Sequence, residues 1–535
     1  MEDKAQQGGI SRRQFAKGAF AGAALAASGG GVLGAVQPPP PVAAAKPGSE
    51  DPRDSSRNLH LVNGKFVDYR GVVAKQLAIQ NGRITGVGNS SGGLAPGTRT
   101  INLKGRTVIP GIIDSHVHFT RTGTNPGYET RWIETAFSIA ELQQEIAERA
   151  KSVPSGPVVS GGGVITAMGG WTPLQFAEAR LPTLAELDAA APMHAVYLNG
   201  RTNTLGKAFF ESRGIAVDAV TGQVSSTGAA TTALRSIQTF EDKVRGTADA
   251  IAFAAANGLT SCHDVSNLTV QPDDYRVMNT LYHRSGRSLD VRMRHYRYFG
   301  ETIPGELETY MDPIFREVGD DIWRINGVGE QIGEMEDFHE QVRLVAEAGW
   351  RVTQHFDAGH APDHVVAFHT VGTEFDVSDL HWSFSHAGNL SQAQIQDLVS
   401  VGVGVTITRG PARTFLDSPG LHTGGATDAT NVSWLSPWMQ MSFFVTRRNQ
   451  QGTLVQDGQQ ISRLEALGLY TIGSAWFSKE EDQLGSFDVG KLADLAVLSD
   501  DYLTVPEDRI RKIRSHLTLQ GGRVVHAQGA FAGLM

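Results

Sequence analysis

The chain predicts an α/β protein: a TIM-like (β/α)8 barrel carrying a small β-sandwich built from both chain ends. Three observations lead there. Between residues 109 and 484, eight short apolar runs rich in β-branched residues alternate with stretches of helical periodicity. Outside that span, residues 58–108 and 485–535 read as short strands broken by Asn-Gly and Gly-Gly turns. The first apolar run ends in His116-Val117-His118. A strand of period 2 projects both imidazoles to one side, at the strand end where barrels build their sites.

At the N-terminus, Ser11-Arg12-Arg13-Gln14-Phe15-Ala16-Lys17 matches a twin-arginine export signal. An uncharged Gly/Ala-rich run from Gly18 to about Val36 follows, too weakly apolar for a stable membrane span. Pro38 to Pro41 and Ala43-Ala44-Ala45 read as a spacer with a small-residue cleavage site. Residues 1–45 are therefore set apart as signal and spacer. The expectation is export in the folded state by the twin-arginine machinery, to the periplasm or beyond.

In the first β-rich segment, Leu59-His60-Leu61-Val62 runs into Asn63-Gly64, and Leu77-Ala78-Ile79 into Asn81-Gly82; both read as hairpins. The far end repeats the pattern, with His516-Leu517-Thr518-Leu519 leading into Gly521-Gly522. Pairing 58–108 with 485–535 in one sandwich brings the ends of the middle segment together. The barrel-strand candidates are 109–119, 258–265, 290–298, 322–330, 351–357, 381–387, 401–408 and 421–429. Helical periodicity covers Ile139 to Val153 and Glu340 to Gly349. Residues 120–257 are too long for one βα connection and predict an insertion that shapes a substrate pocket.

The formal charge of −9, without any Lys/Arg cluster, excludes a nucleic-acid surface. Cys262 is the sole cysteine, so neither an intrachain disulfide nor a Cys-rich zinc site can form. A metal in this chain must use imidazole and carboxylate ligands. Such groups recur at predicted strand ends: His355 in the fifth run, His386 in the sixth, Asp428 in the eighth. An isolated histidine there is ordinarily a satisfied interior group; an ordered series is not.

The order HxH, His, His, Asp over strands one, five, six and eight resembles the amidohydrolase superfamily. So do the approaches Gly258-Leu259-Thr260 and Val291-Arg292-Met293-Arg294, and the tail motif Gly485-Ser486-Phe487-Asp488-Val489-Gly490-Lys491-Leu492-Ala493-Asp494-Leu495. Arg180-Leu181-Pro182-Thr183, with Glu186-Leu187-Asp188 and Ala191-Pro192, resembles its amidohydrolase family 3 branch, the group of the N-substituted formamide deformylases. The resemblance spans roughly residues 58–530. It implies a divalent metal, Zn²⁺ foremost, as one or two ions held by His116, His118, His355, His386 and Asp428. It also implies a small-molecule substrate and hydrolysis of a C–N bond in an amide, formamide or cyclic amide. Asp428 would bind metal or its water and carry the proton to the leaving nitrogen. A deaminase or an esterase/lactonase uses the same ligands, and a silent periplasmic binding protein would keep the fold alone.

The chain departs from the family at places where substrate sits. The fourth strand, Ile322 to Glu330, lacks the lysine that many binuclear relatives convert to a bridging carbamate. Glu330 could bridge directly, or stand behind the ligands, or face the substrate; without it the site reads as mononuclear. Arg201 replaces a histidine usual near Asn199-Gly200, and His360 follows His355 across Gly359. Arg201, Asn203 and His360 are therefore the candidate substrate-binding residues. Two of Trp171, Trp382, Trp434 and Trp438 lining the pocket would point to an apolar or aromatic substrate group.

Overall fold

The computed structural model describes residues 57–88, 94–265, 272–299, 316–332, 338–429 and 433–535. The Ser11–Lys17 motif and the whole of residues 1–45 lie outside the described residues. No helix among the described residues is long and apolar enough to cross a membrane.

All eight expected runs form strands of one parallel sheet. In chain order they are Ile112–Val117, Leu259–Val265, Arg292–Phe299, Trp323–Ile332, Val352–His355, Ser383–Ser385, Gly404–Ile407 and Thr423–Gly425. Each pairs with the next in parallel. The eighth returns to the first. Ser115 Oγ donates to Gly425 O at 2.8 Å, and Asp428 N donates to His116 O at 2.9 Å. The sheet thus closes into a barrel. Strand eight is short and glycine-rich because Tyr470 lies across it. A Cβ on Gly425 would sit 2.5 Å from that ring.

Apolar side chains of the strands, among them Ile112, Leu259, Met293, Val352 and Val405, are buried against a helical ring containing Ala254, Val342, Phe368 and Leu398. The ring helices are set by local chemistry. Thr239 and Asp242 form a capping box that starts the helix Phe240–Ala256. Its Val244, Thr247, Ala250, Ile251 and Ala254 recur at three- and four-residue spacing and are all buried.

The interior near the N-terminal strand ends is polar. Arg294 grips Glu480 through Nε and Nη2, both at 2.7 Å, and Arg324 Nη2 lies 3.4 Å from Glu480. His263 is buried beside them, and among the described residues neither of its ring nitrogens is hydrogen-bonded.

A four-stranded sheet contains Arg83–Val87, Leu77–Gln80, Leu59–Val62 and Arg99–Asn102. A six-stranded sheet joins strands from both chain ends, in the order Arg523–Ala527, Ser515–Gln520, Leu495–Leu498, Thr107–Pro110, Lys65–Asp68 and Gly71–Ala74. Arg292 fixes this sheet to the barrel through two hydrogen bonds to the buried Asp494, at 2.9 and 3.1 Å.

The turns at Asn81-Gly82 and Gly521-Gly522 make hairpins, with positive φ at both residues of each. Asn63-Gly64 does not, which corrects the hairpin expected there. Only Asn63 has positive φ, and Leu59–Val62 and Lys65–Asp68 belong to different sheets. The turn hands the chain across the sandwich. Gly64 is packed so closely that a Cβ would lie 2.8 Å from Leu103 and Phe66.

Residues 120–257 hold a sheet of their own, Tyr128–Glu129, Val164–Ala167, Ala195–Leu198 and Arg201–Thr202, with separate apolar clusters. Glu134 docks this region on the loop after strand eight. It accepts from Leu435 N at 2.8 Å and Ser436 N at 3.0 Å while pairing with Arg131 at 2.6 Å.

Candidate metal centre

Six side chains from five barrel strands meet at one end of the barrel. His116 and His118 leave strand one on the same side, as period 2 requires, with Val117 turned into the apolar core. Glu330 of strand four lies between the histidines. Its Oε1 is 2.8 Å from His386 Nε2, in hydrogen-bond contact with His355 Nδ1, and 3.8 Å from His116 Nε2. Its Oε2 is 3.2 Å from His118 Nε2. Asp428 Oδ1 closes the ring at 3.2 Å from His118 Nε2 and 3.5 Å from His116 Nε2. Three overlapping trios have ligand atoms within 4.8 Å of one another: His116, His118 and Glu330; Glu330, His355 and His386; His116, His386 and Asp428.

The wall is ordered from deep to shallow. His116, His118 and Glu330 are buried, whereas the His355 and Asp428 side chains are 38% and 27% exposed and face the opening. His386 and Asp428 both adopt left-handed backbone, at φ 38° and 53°. That conformation costs a non-glycine residue roughly 1–2 kcal/mol and tends to gather at functional sites.

Neighbouring groups fix the orientation of each ring and loop. His118 Nδ1 donates to Val265 O at 2.6 Å, which leaves the Nε2 lone pair for the centre. Asp114 Oδ1 accepts from Thr427 N at 3.0 Å and His116 N at 3.2 Å, tying the end of strand eight to strand one. Burial pushes the Asp114 carboxyl up to about 7. Asp264 accepts from Thr120 N at 3.0 Å and meets His295 Nδ1 at 3.2 Å. Burial would raise its pKa, yet His295 and Thr120 hold it below the usual carboxylate range. Burial is likewise overcome at Glu330 and Asp428, which the imidazoles hold well below that range. Burial lowers His116, while the two carboxylates raise His118 against burial, to about 9.

The donor set fits a divalent cation. Among the described residues both ring nitrogens of the buried His116 lack a hydrogen bond, although two carboxylates lie just beyond reach of Nε2. Imidazoles and carboxylates converging in this way make the N/O shell that zinc and similar ions take.

The remaining sequence candidates lie elsewhere in the chain's contacts. Asn203 is fully buried within the 120–257 region. It caps the helix Thr204–Glu211, accepts from Val196 N at 3.0 Å and donates to His194 O at 2.8 Å. Arg201 donates to Thr221 O at 3.3 Å on that region's sheet edge. Among the described residues neither forms a hydrogen bond to the six. His360 begins the helix after strand five, its side chain 53% exposed and 3.8 Å from Asp357. Trp171, Trp382 and Trp438 are core groups that donate to backbone carbonyls, whereas Trp434 lines a cavity with Phe443 and Arg409. Thr427 and Asp264 are positioning residues that the sequence did not single out. The Thr427-Asp428 pair at a predicted strand end was the only signal for the first.

Known proteins resemble this chain in sequence and in fold. The sequence model of the amidohydrolase family matches residues 99–526. The N-substituted formamide deformylase of Arthrobacter pascens is 28% identical over 147 residues, which is 26% of each chain. An allantoinase of Solibacter usitatus is 43% identical over 60 residues, 11% of this chain and 12% of that one. The matched segments thus span about a quarter or less of these curated relatives. Two solved structures share the fold. An uncharacterized metal-dependent hydrolase from Pyrococcus horikoshii has a TM-score of 0.55 at 21% identity, covering 84% of this chain and 99% of that chain. An adenosine deaminase from Xanthomonas campestris, with bound zinc, has a TM-score of 0.54 at 14% identity, covering 89% and 96%. The family match takes in well over half of the sequence, and the chain belongs to the amidohydrolase family, in its family 3 branch.

Proposed function

We propose that this protein is a metal-dependent hydrolase of a small molecule, cleaving a C–N bond in an amide, formamide or cyclic amide. The observation that carries the proposal is the placement of Glu330. One carboxylate oxygen faces His355 and His386, and the other faces His118. That donor set would hold two divalent cations, Zn²⁺ foremost, through His116, His118, Glu330, His355, His386 and Asp428.

Bound there, the cations supply Lewis acidity, activating water and polarising the scissile carbonyl. The chain's own part is proton handling and positioning. Asp428 Oδ1 faces His116 and His118, so Oδ2 is left to take the proton of the attacking water at the open side of the site. The same carboxyl then returns the proton to the departing nitrogen. Val265 O and Asp114 hold His118 and the strand-eight loop in register while this happens. The complete set of six side chains weighs against a silent binding protein. The Ser11–Lys17 motif supports export of the folded, metal-loaded chain to the periplasm or outside.

The test is a panel of N-formyl, N-acyl and cyclic amides with metal-reconstituted protein. Turnover that a chelator abolishes and zinc restores is expected, with amine or ring-opened acid as product. Ammonia released from an amidine carbon would instead make it a deaminase, and turnover confined to esters or lactones an esterase. Metal-free protein of undiminished stability, inert on the whole panel, would refute the hydrolase reading.

A further inference from the structure

Asp428 stands in left-handed backbone, at φ 53°. Such a conformation persists only where its surroundings hold it, and the loop that carries Asp428 is held at two feet. The barrel builds the first. Asp114 Oδ1 accepts from Thr427 N at 3.0 Å, and Ala429 O accepts from Thr122 Oγ1 at 3.0 Å and His118 N at 3.3 Å. The second foot, Ser433 to Ser436, is held by the 120–257 region. Glu134 Oε2 accepts from Leu435 N at 2.8 Å and Ser436 N at 3.0 Å, where the helix Pro437–Thr446 begins. Ser436 does not cap that helix with its own side chain, because its hydroxyl donates to Asn257 Oδ1 at 3.2 Å. The Glu134 carboxylate supplies the negative charge that a helix N-terminus favours. Gln440, on the same helix, ties the two feet together: its Nε2 donates to Thr427 O and to Ser433 Oγ, each at 3.4 Å.

This joint is more exacting than docking alone requires. Glu134 is fully buried, and a buried carboxylate is costly unless every contact is well made. Its other oxygen, Oε1, accepts from the buried Arg131 Nη1 at 2.6 Å. Gln175 Nε2 pins the turn around Glu134 by donating to Ile133 O at 3.0 Å and Ala136 O at 2.7 Å. Gly170 closes against both partners at once: a Cβ there would stand 2.8 Å from Glu134 Oε1 and 3.0 Å from Ser433 O. Arg131, Glu134, Gly170 and Gln175 all lie in the region expected from the sequence only to shape a pocket.

We propose that Glu134 is a positioning residue for Asp428. By fixing Leu435 and Ser436 it sets the helix from which Gln440 holds the carbonyl of Thr427, and so the place of the next side chain at the metal centre. The 120–257 region then belongs to the proton-transfer apparatus as well as to the pocket. The inference rests on the hydrolase reading for what Asp428 does, and adds to it the residue that places that carboxyl. A shift of about 1 Å imposed from outside the chemistry can cost about 10²-fold in rate.

The test uses Glu134→Gln and Gln440→Met in the full-length protein. Glu134→Gln keeps the shape, but whichever way the amide turns, its NH2 group faces donors. Gln440→Met cuts the tie at its far end; Oε1 of Gln440 has no hydrogen bond among the described residues, so this variant should fold as wild type does. Hydrogen exchange of the metal-free protein reads the tether with neither metal nor substrate. The peptide holding Thr427 and Asp428, whose N donates to His116 O at 2.9 Å, should exchange about tenfold or more faster in both variants. The peptide holding His355 should not change. Loaded with Co²⁺, both variants should show visible bands moved toward those of Asp428→Asn, at unchanged cobalt content. On the amide that wild type turns over, kcat should fall about 10- to 10²-fold with KM unchanged. A lower Tm with wild-type exchange at Thr427 and Asp428, wild-type cobalt bands and wild-type kcat would make Glu134 a structural joint only and overturn the proposal. Failure of the hydrolase reading looks different: Asp428→Asn itself leaves the cobalt bands unmoved and no amide is turned over, while exchange in the metal-free protein still decides whether Glu134 holds Asp428 in place.

Discussion

Changing Glu330 to Gln exchanges one carboxylate oxygen for an NH2 group and removes the charge, with almost no change of shape. The structure gives each oxygen its own histidines, His355 and His386 at Oε1 and His118 at Oε2. Whichever way the amide turns, one half of the centre loses a ligand. Apparent zinc affinities of about 10–16 kcal/mol in four-ligand sites assign about 2.5–4 kcal/mol to each ligand, so one half should weaken by about 10²–10³-fold. The assay is competition against a chromogenic chelator of known affinity, followed as a metal titration. Wild type should fill about two sites per chain, and Glu330→Gln should keep one and lose the other within the chelator's window. If the variant fills both sites with wild-type affinity, Glu330 is not a shared ligand.

Three further outcomes follow from the same contacts. Asp428→Asn should lower kcat by about 10²–10⁴-fold, the worth of a positioned acid/base; turnover at the wild-type rate would remove Asp428 from proton transfer. Burial drives His263 down to about 3, against about 6.5 in an unfolded chain. The unfolded chain therefore takes up a proton below pH 6.5 that the folded one refuses, so the stability is whole above that pH and is lost as pH falls. At pH 5 the loss is about 2 kcal/mol. His263→Leu should reduce the fall in Tm between pH 7 and pH 5, and an unaltered fall would show that this ring does not titrate between the two states. Glu480→Gln strands the buried Arg294 and the partly buried Arg324 and should cost about 3–5 kcal/mol in urea unfolding. Adding Arg294→Met should return part of that cost, and a double variant no better than the single would contradict the pairing.

The barrel was readable because its strands are apolar, β-branched runs at helical separations, and each emerged inside or within a few residues of its expected run. The convergence of the histidines was readable through period 2 at His116 and His118 and through the strand-end positions of His355, His386 and Asp428. What escaped is set by tertiary contact. Asn63-Gly64 carries hairpin letters, but turn chemistry specifies a reversal and not which sheet receives the next strand. Arg201 and Asn203 were placed by analogy near the substrate, yet the hydrogen bonds of Asn203 are spent on its own helix cap and sheet. Glu330 left three readings open because only the fold sets one of its oxygens against His355 and His386 and the other against His118.

The most direct measurement is elemental analysis of protein purified without chelators, joined to anomalous scattering from its crystals. The account predicts about two divalent ions per chain, with anomalous peaks on either side of the Glu330 carboxylate and within bonding distance of His116, His118, His355, His386 and Asp428. Full occupancy by ions bound elsewhere, with those side chains hydrogen-bonded only to water, would contradict it.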